Sequence, residues 1–267
     1  VRMEKLVANL KVAMEDRFNQ LTWMTDSTKA KAIDKLHGII VKVGYPDKWR
    51  DYSALEIKND SYYANILRSR IFENNYQMSK IGKPVDPTLW LMTPQMVNAY
   101  YNPTTNEICF PAGILQPPFF DMNADDAVNY GAIGVVIGHE MTHGFDDAGR
   151  YYDINGNLND WWSEEDAKNF TERSKVLVNY YDSIQVLPNV YANGVFTLGE
   201  NIADNGGVNI SYVALQRAKK EGAVQGIMDG FTPEQRFFIA YAMVWGGNIR
   251  DNEILRRTNE DPHSLGK

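Results

Sequence analysis

The sequence predicts a mainly helical chain with a small β-sheet, an α+β fold. Apolar residues recur at helical spacing through most of the first eighty residues, and β-rich runs are confined to one proline-dotted stretch from Pro84 to Pro118. Helix-capping signals then return after Ala127.

Met3, Leu6, Val7, Leu10, Met14, Phe18 and Leu21 form the stripe of a first helix. Asp26 or Ser27 is placed to cap a short second helix carrying Ala30, Ile33 and Leu36. A third runs through Tyr63, Ile66, Leu67, Arg70, Ile71, Asn74 and Met78 and stops at Gly82 and Pro84. All three stripes read as core packing. Met96–Tyr101 and Glu107–Phe110 flank the turn Asn102–Asn106 as a hairpin, which the prolines on both sides hold at a sheet edge. The next helix covers about Ala127 to Phe145, and Gly131, Gly134 and Gly138 inside it imply close packing against neighbours. Ser163 and Asp166 open another helix burying Ala167, Phe170, Leu177 and Tyr181. One more surrounds Glu200 to Lys219, and Thr232-Pro233-Glu234 starts a last one that ends at Gly246-Gly247.

Composition narrows the function classes. The 267 residues hold 27 Lys and Arg against 34 Asp and Glu, a net charge of −7. With no basic stripe, a general nucleic-acid binder is excluded. The purest apolar run, Ala132–Gly138, is too short to span a bilayer, so no membrane contact by this segment is expected. A lone Cys109 excludes internal disulfides and thiolate metal clusters; cytosolic and secreted chains both fit. Val1-Arg2-Met3 is no initiator sequence and no signal segment follows, which reads as a processed or trimmed piece.

The chemistry is concentrated in His139-Glu140-Met141-Thr142-His143. Residues four apart stand on one helix face, so both imidazoles reach one ion, while Glu140 on the flank can take a proton from metal-bound water. A surface helix is a poor alternative, because Ala132–Ile137 just before it is too apolar to be exposed. A zinc enzyme with two histidines needs a third protein ligand. Glu200 and Asp204 share a helix face, one to bind metal and the other to accept the distal N–H of a ligand histidine. Alone such a pair is usually a solvated face; beside the histidine motif it fits a metal site.

The segments His139–Asp147, Gly199–Asp204, Asn98–Tyr100 and Phe110–Phe120 closely resemble the neprilysin and endothelin-converting-enzyme family of zinc peptidases. From about residue 90 the likeness is specific; earlier, Trp23–Asp26 and Thr28–Ala32 are similar too. The resemblance implies a thermolysin-like zinc peptidase catalytic domain at residues 84–267, with residues 1–83 a helical region packed on it as one unit. It implies one zinc ion held by His139, His143 and Glu200, with Glu140 the base that activates water. Asp204 and Asp146 would accept from the ligand histidines. Asn98 and Ala99 would hydrogen-bond a peptide substrate by strand addition. Phe119, Val136, Val244 and Trp245, which by themselves read as core, would line a pocket for the hydrophobic residue after the scissile bond. His263 would stabilise the oxyanion, oriented by Asp261.

Other features stay ordinary. His37 closes a helix, and Asp153–Leu158 is a turn, with glycine off the sixth position of a calcium loop. Against the family pattern, an enclosing upstream lobe is expected to be missing, as is an arginine that would fall two residues beyond Lys267. Gly246 stands where animal members often carry cysteine, so the pattern resembles a bacterial member, and the family resemblance implies an extracytoplasmic one. Two alternatives remain: a fragment that binds zinc and peptide but turns over poorly, or a different hydrolase on the same zinc helix.

Overall fold

The computed structural model describes residues 2–224 and 226–266. Val1 and Lys267, on which the expectation of a trimmed piece rests, lie outside the described residues. Helix α1 (Arg2–Gln20) buries Met3, Leu6, Val7, Leu10, Met14 and Phe18, the face its spacing predicts. It lies against α2 (Asp26–His37) and α7 (Leu198–Lys220).

Helix α2 departs from expectation in two details. Its cap is Thr25, whose side chain accepts from the Thr28 amide. Neither Asp26 nor Ser27 caps it, because Thr25 is also tied to Asp166 through a 2.6 Å hydroxyl bond. The buried face is Thr28, Ala32, Lys35 and Leu36, so Ala30 faces out.

The sheet is larger than a hairpin. Strand β1 (Ile40–Gly44) pairs in parallel with β3 (Glu107–Pro111), and β2 (Tyr100–Asn102) pairs antiparallel with the other side of β3. The Glu107–Phe110 run is therefore central, not at an edge. Pro103 sits in the turn and Pro111 ends the strand, so neither removes an internal ladder bond. The Met96–Ala99 part of the expected hairpin is not strand. There the Gln95 and Met96 carbonyls back directly onto Gly113 instead of a neighbouring strand.

Helix α3 (Tyr62–Met78) corrects the core expectation most clearly: it has no buried residue, and Tyr63, Leu67, Ile71 and Met78 are exposed. It is held by its more polar face. The Arg50 guanidinium stacks over Phe72 and Tyr76 and bonds Glu73 at 2.6 Å.

Helices α4 (Asp126–Asn129) and α5 (Val135–His143) form one rod joined by a π turn at Tyr130–Gly134. The glycines act as the sequence implies. A Cβ at Gly131 would strike the Phe237 carbonyl of α8 (Pro233–Trp245) at 2.1 Å, and one at Gly138 would meet Gly207 Cα of α7 at 2.8 Å. Helix α6 (Glu164–Asp182) is capped by Ser163 as expected, but its apolar face is only half-buried, with Asp166 its one buried residue. The hairpin β4 (Gln185–Leu187) and β5 (Val190–Tyr191) and helix α9 (Asp251–Glu260) were not indicated by any periodic stripe; α9 buries nothing. Asp153 accepts from the Asn155 and Asn157 amides in a turn. His37 pairs with Glu15 at 2.9 Å.

Candidate active site

Helix α5 supplies His139, Glu140 and His143, and α7 supplies Glu200 and Asp204. The two helices meet backbone to backbone: a Cβ on Gly207 would lie 2.5 Å from the Val135 carbonyl and 2.8 Å from the His139 amide. Only hydrogen at these positions lets the imidazoles and carboxylates of facing helices share one small space.

His139 Nδ1 lies 2.9 Å from Asp204 Oδ1, and His143 Nδ1 lies 2.7 Å from Asp146 Oδ2. A carboxylate accepts, so both Nδ1 atoms carry the proton, a tautomer assigned from this network. In the neutral imidazoles, the form that binds metal, both Nε2 atoms then present lone pairs. They stand 2.9 Å apart and 3.2 and 3.5 Å from Glu200 Oε2. Glu200 Oε2 is buried and receives no hydrogen bond. Two imidazole nitrogens and a carboxylate oxygen converging this closely make a seat for a single positive charge. Three ligands of a tetrahedral zinc at about 2.0–2.1 Å stand roughly 3.3 Å apart, which matches this triangle. The residues present therefore fit the metal that the sequence implies.

Burial alone would lower both histidines, but Asp204 and Glu200 outweigh it and hold His139 up at about 9, and Asp146 with Glu200 holds His143 at about 10, so the surrounding carboxylates favour positive charge at this point, whether a proton or a metal ion supplies it. Burial pushes the Glu200 carboxyl up, yet the two imidazoles hold it well below the usual range. Glu140 is buried, and that burial raises its pKa above the ordinary carboxylate value while both imidazoles pull it back. A carboxyl raised toward neutrality suits proton transfer at physiological pH.

His263 comes to the same place from the far end of the chain. Its Nε2 lies 3.2 Å from Glu200 Oε2 and its Nδ1 2.7 Å from Asp261 Oδ1. The Ser264 hydroxyl donates to Asn201 on α7 at 2.7 Å, stapling this segment beside the site although the His263 side chain is 54% exposed. Asn98 and Ala99 directly precede β2, whose outer side is a sheet edge, and Asn98 Oδ1 accepts from the Ala99 amide at 2.9 Å. Val136 is half-buried one turn before Glu140. Phe119 is half-buried, and its carbonyl accepts from Ile133 in the π turn at 2.8 Å. Helix α8 packs on that turn and ends with half-buried Val244 and with Trp245, 53% exposed.

Sequence reasoning missed Lys35. Its ammonium donates to the carbonyls of Gly144, Gly149 and Tyr152 at 2.6, 2.9 and 2.6 Å. The available signal was its position on the α2 face that also holds Thr28, Ala32 and Leu36. Burial lowers its pKa to about 8, with Asp146 and Asp153 opposing.

Known proteins agree with this geometry. The profile of peptidase family M13 matches residues 98–267, and a second profile of that family matches residues 1–46. Neprilysin-3 of Drosophila melanogaster is 41% identical over 271 residues, 98% of this chain and 34% of that protein. Neprilysin of Homo sapiens is 38% identical over 276 residues, 99% of this chain and 37% of that protein. Among solved structures, the Mycobacterium tuberculosis zinc metalloprotease ZMP1 in complex with inhibitor superposes with a TM-score of 0.94 at 46% identity, covering 99% of this chain and 41% of that one. PepO from Lactobacillus rhamnosis superposes with a TM-score of 0.89 at 32% identity, covering 98% of this chain and 40% of that one. The chain thus spans about a third of the length of the curated relatives it matches. With the zinc-fitting triangle in place and family profiles matched at both ends, the chain belongs to peptidase family M13, the neprilysin and endothelin-converting-enzyme family.

Proposed function

We propose that this chain is the catalytic part of a zinc endopeptidase that cuts short peptides on the amino side of hydrophobic residues. The observation that carries the reading is the close triangle of His139, His143 and Glu200 with both Nδ1 atoms held by carboxylates. One zinc ion, when bound there, supplies a Lewis acid for the scissile carbonyl and lowers the pKa of its water.

The chain's own residues do the rest. Glu140 accepts a proton from the attacking water and passes it to the leaving amine. His263 donates from Nε2 to the developing oxyanion, with Asp261 fixing its ring. Asp204 and Asp146 hold the ligand imidazoles in register. Substrate adds as a strand at the open side of β2, its backbone bonded by Asn98 and Ala99. Phe119, Val136, Val244 and Trp245 form the pocket that selects a hydrophobic side chain. Residues 1–83 serve as a helical region of the same unit as residues 84–267, a reading supported by α1 on α7 and by β1 in one sheet with β3.

A second reading is favoured by the share of the relatives that the chain covers: it binds zinc and peptide but turns over slowly. The same reading makes it a bacterial-type, extracytoplasmic protein, in line with its 46% identity to the Mycobacterium tuberculosis protease. Among the described residues no helix is long and apolar enough to cross a membrane.

Glu140→Gln separates these readings. Cleavage of a fluorogenic peptide should fall by about 10²–10⁴-fold with zinc content unchanged. Unchanged cleavage sinks the endopeptidase reading, and full zinc occupancy with negligible wild-type turnover favours the binding fragment.

A further inference from the structure

Lysine is among the residues least often fully buried, and taking an unpaired ammonium out of water costs several kcal/mol. Lys35 is nonetheless 1% exposed, and it spends all three N–H donors on backbone carbonyls. Charge-assisted hydrogen bonds are the strong kind, and three of them offset that cost.

The three carbonyls are not scattered. Gly144 caps the C-terminus of α5, directly after His143, while Gly149 and Tyr152 lie at the other end of the following loop. The ammonium thus ties the start of the loop to its end and meets the negative end of the α5 dipole. Between those anchors sits Asp146. Its Oδ1 accepts from the Ala148 and Gly149 amides at 2.9 and 2.6 Å, and its Oδ2 holds His143 Nδ1. The rings of Tyr101, Phe145 and Trp161 lie around the ammonium, their centroids 5.4–5.9 Å away. From the other side, Asn106 donates to the Lys35 carbonyl at 3.0 Å and locks its helix in place.

We propose that Lys35 is a positioning residue for the metal centre: by clamping the Gly144–Tyr152 loop it sets Asp146, and through Asp146 the orientation of His143 Nε2. The clamp rests on the zinc reading above. It lies in the segment matched by the profile over residues 1–46, outside the residues 98–267 that carry the ligands themselves.

Zinc affinity of the purified chain, read by competition with a chromophoric chelator, tests the clamp without reference to turnover. Lys35→Met should weaken zinc binding by about 10–100-fold, as should Asp146→Asn. Because both act on His143, the double variant should bind no more weakly than the worse single one. Lys42→Met serves as the control. That lysine is also buried but is bonded to Glu107 and the Leu89 carbonyl, so its loss should lower the Tm and leave zinc affinity within about twofold.

Wild-type zinc affinity in folded Lys35→Met, or losses that multiply in the double variant, would overturn the clamp. Where Lys35→Met does not fold, Lys35→Arg carries the test. Its wider fork cannot reach all three carbonyls, so zinc should bind about 3–10-fold more weakly, and unchanged affinity rejects the proposal. A wild-type chain that takes up no zinc is a different result, which sinks the peptidase reading itself.

Discussion

Helices α5 and α3 make opposite use of their sequences. Around α5 the chain is interrupted by glycines and loaded with histidine and glutamate, yet the helix lies at the centre of the molecule against α7. Helix α3 carries Ile66, Leu67, Ile71 and Met78 at helical spacing and no glycine, yet it buries nothing. What separates them is how closely a neighbour can approach. Gly138 against Gly207 brings two backbones together, and the polar groups carried inward find partners there. On α3 the side turned inward is the Arg68, Phe72 and Tyr76 side, anchored by Arg50, so Leu67, Ile71 and Met78 point away.

The largest effect should come from breaking the close approach. Gly207→Ala places a methyl where the Val135 carbonyl and His139 amide already stand, and neither is a flexible side chain that can step aside. We expect a loss of about 3 kcal/mol or more in urea unfolding, together with weakened zinc binding. A stable variant with normal zinc affinity would show that the α5–α7 contact is looser than described.

A smaller effect should appear with pH. Lys35 titrates at about 8 in the folded chain against an ordinary 10.5. Between those values the unfolded chain holds more protons, so this group makes stability rise with pH there; below about 8 the cost of its buried charge is fully present. Lys35→Met lacks this slope. Unfolding of both chains between about pH 7.5 and 9.5 should show the wild type gaining on the variant, and parallel curves would contradict the buried ammonium.

The smallest effect belongs to α3. Ile71 is 60% exposed, and Ile71→Gln should change stability by less than about 0.5 kcal/mol and leave zinc binding alone. A loss above about 2 kcal/mol would mean that this face is covered in solution.

Local periodicity made much of this molecule legible. The α1 stripe, the caps at Ser163 and Thr232, and the HExxH and Gly199–Asp204 spacings all depend on residues within a turn or two of one another, which sequence displays directly. What it hid was non-local. Strand β1 is short and carries a lysine whose partner, Glu107, is on another strand. Lys35 gives no local signal because its three acceptors lie more than a hundred residues away. Helix α3 misled for the converse reason: its pattern is genuine, but Leu67, Ile71 and Met78 stay exposed.

The π turn at Tyr130–Gly134 has a consequence of angular phase. An α-helix advances about 100° per residue, so a turn holding one residue more than the regular repeat rotates everything after it by about that angle. The rod from Asp126 to His143 therefore presents two differently aimed faces, one set before the turn and one after it. Shortening the turn by one residue would leave the spacing from His139 to His143 untouched and aim both imidazoles about 100° away from Glu200. A motif fixes which residues share a face; here the dial that points the face is five residues upstream.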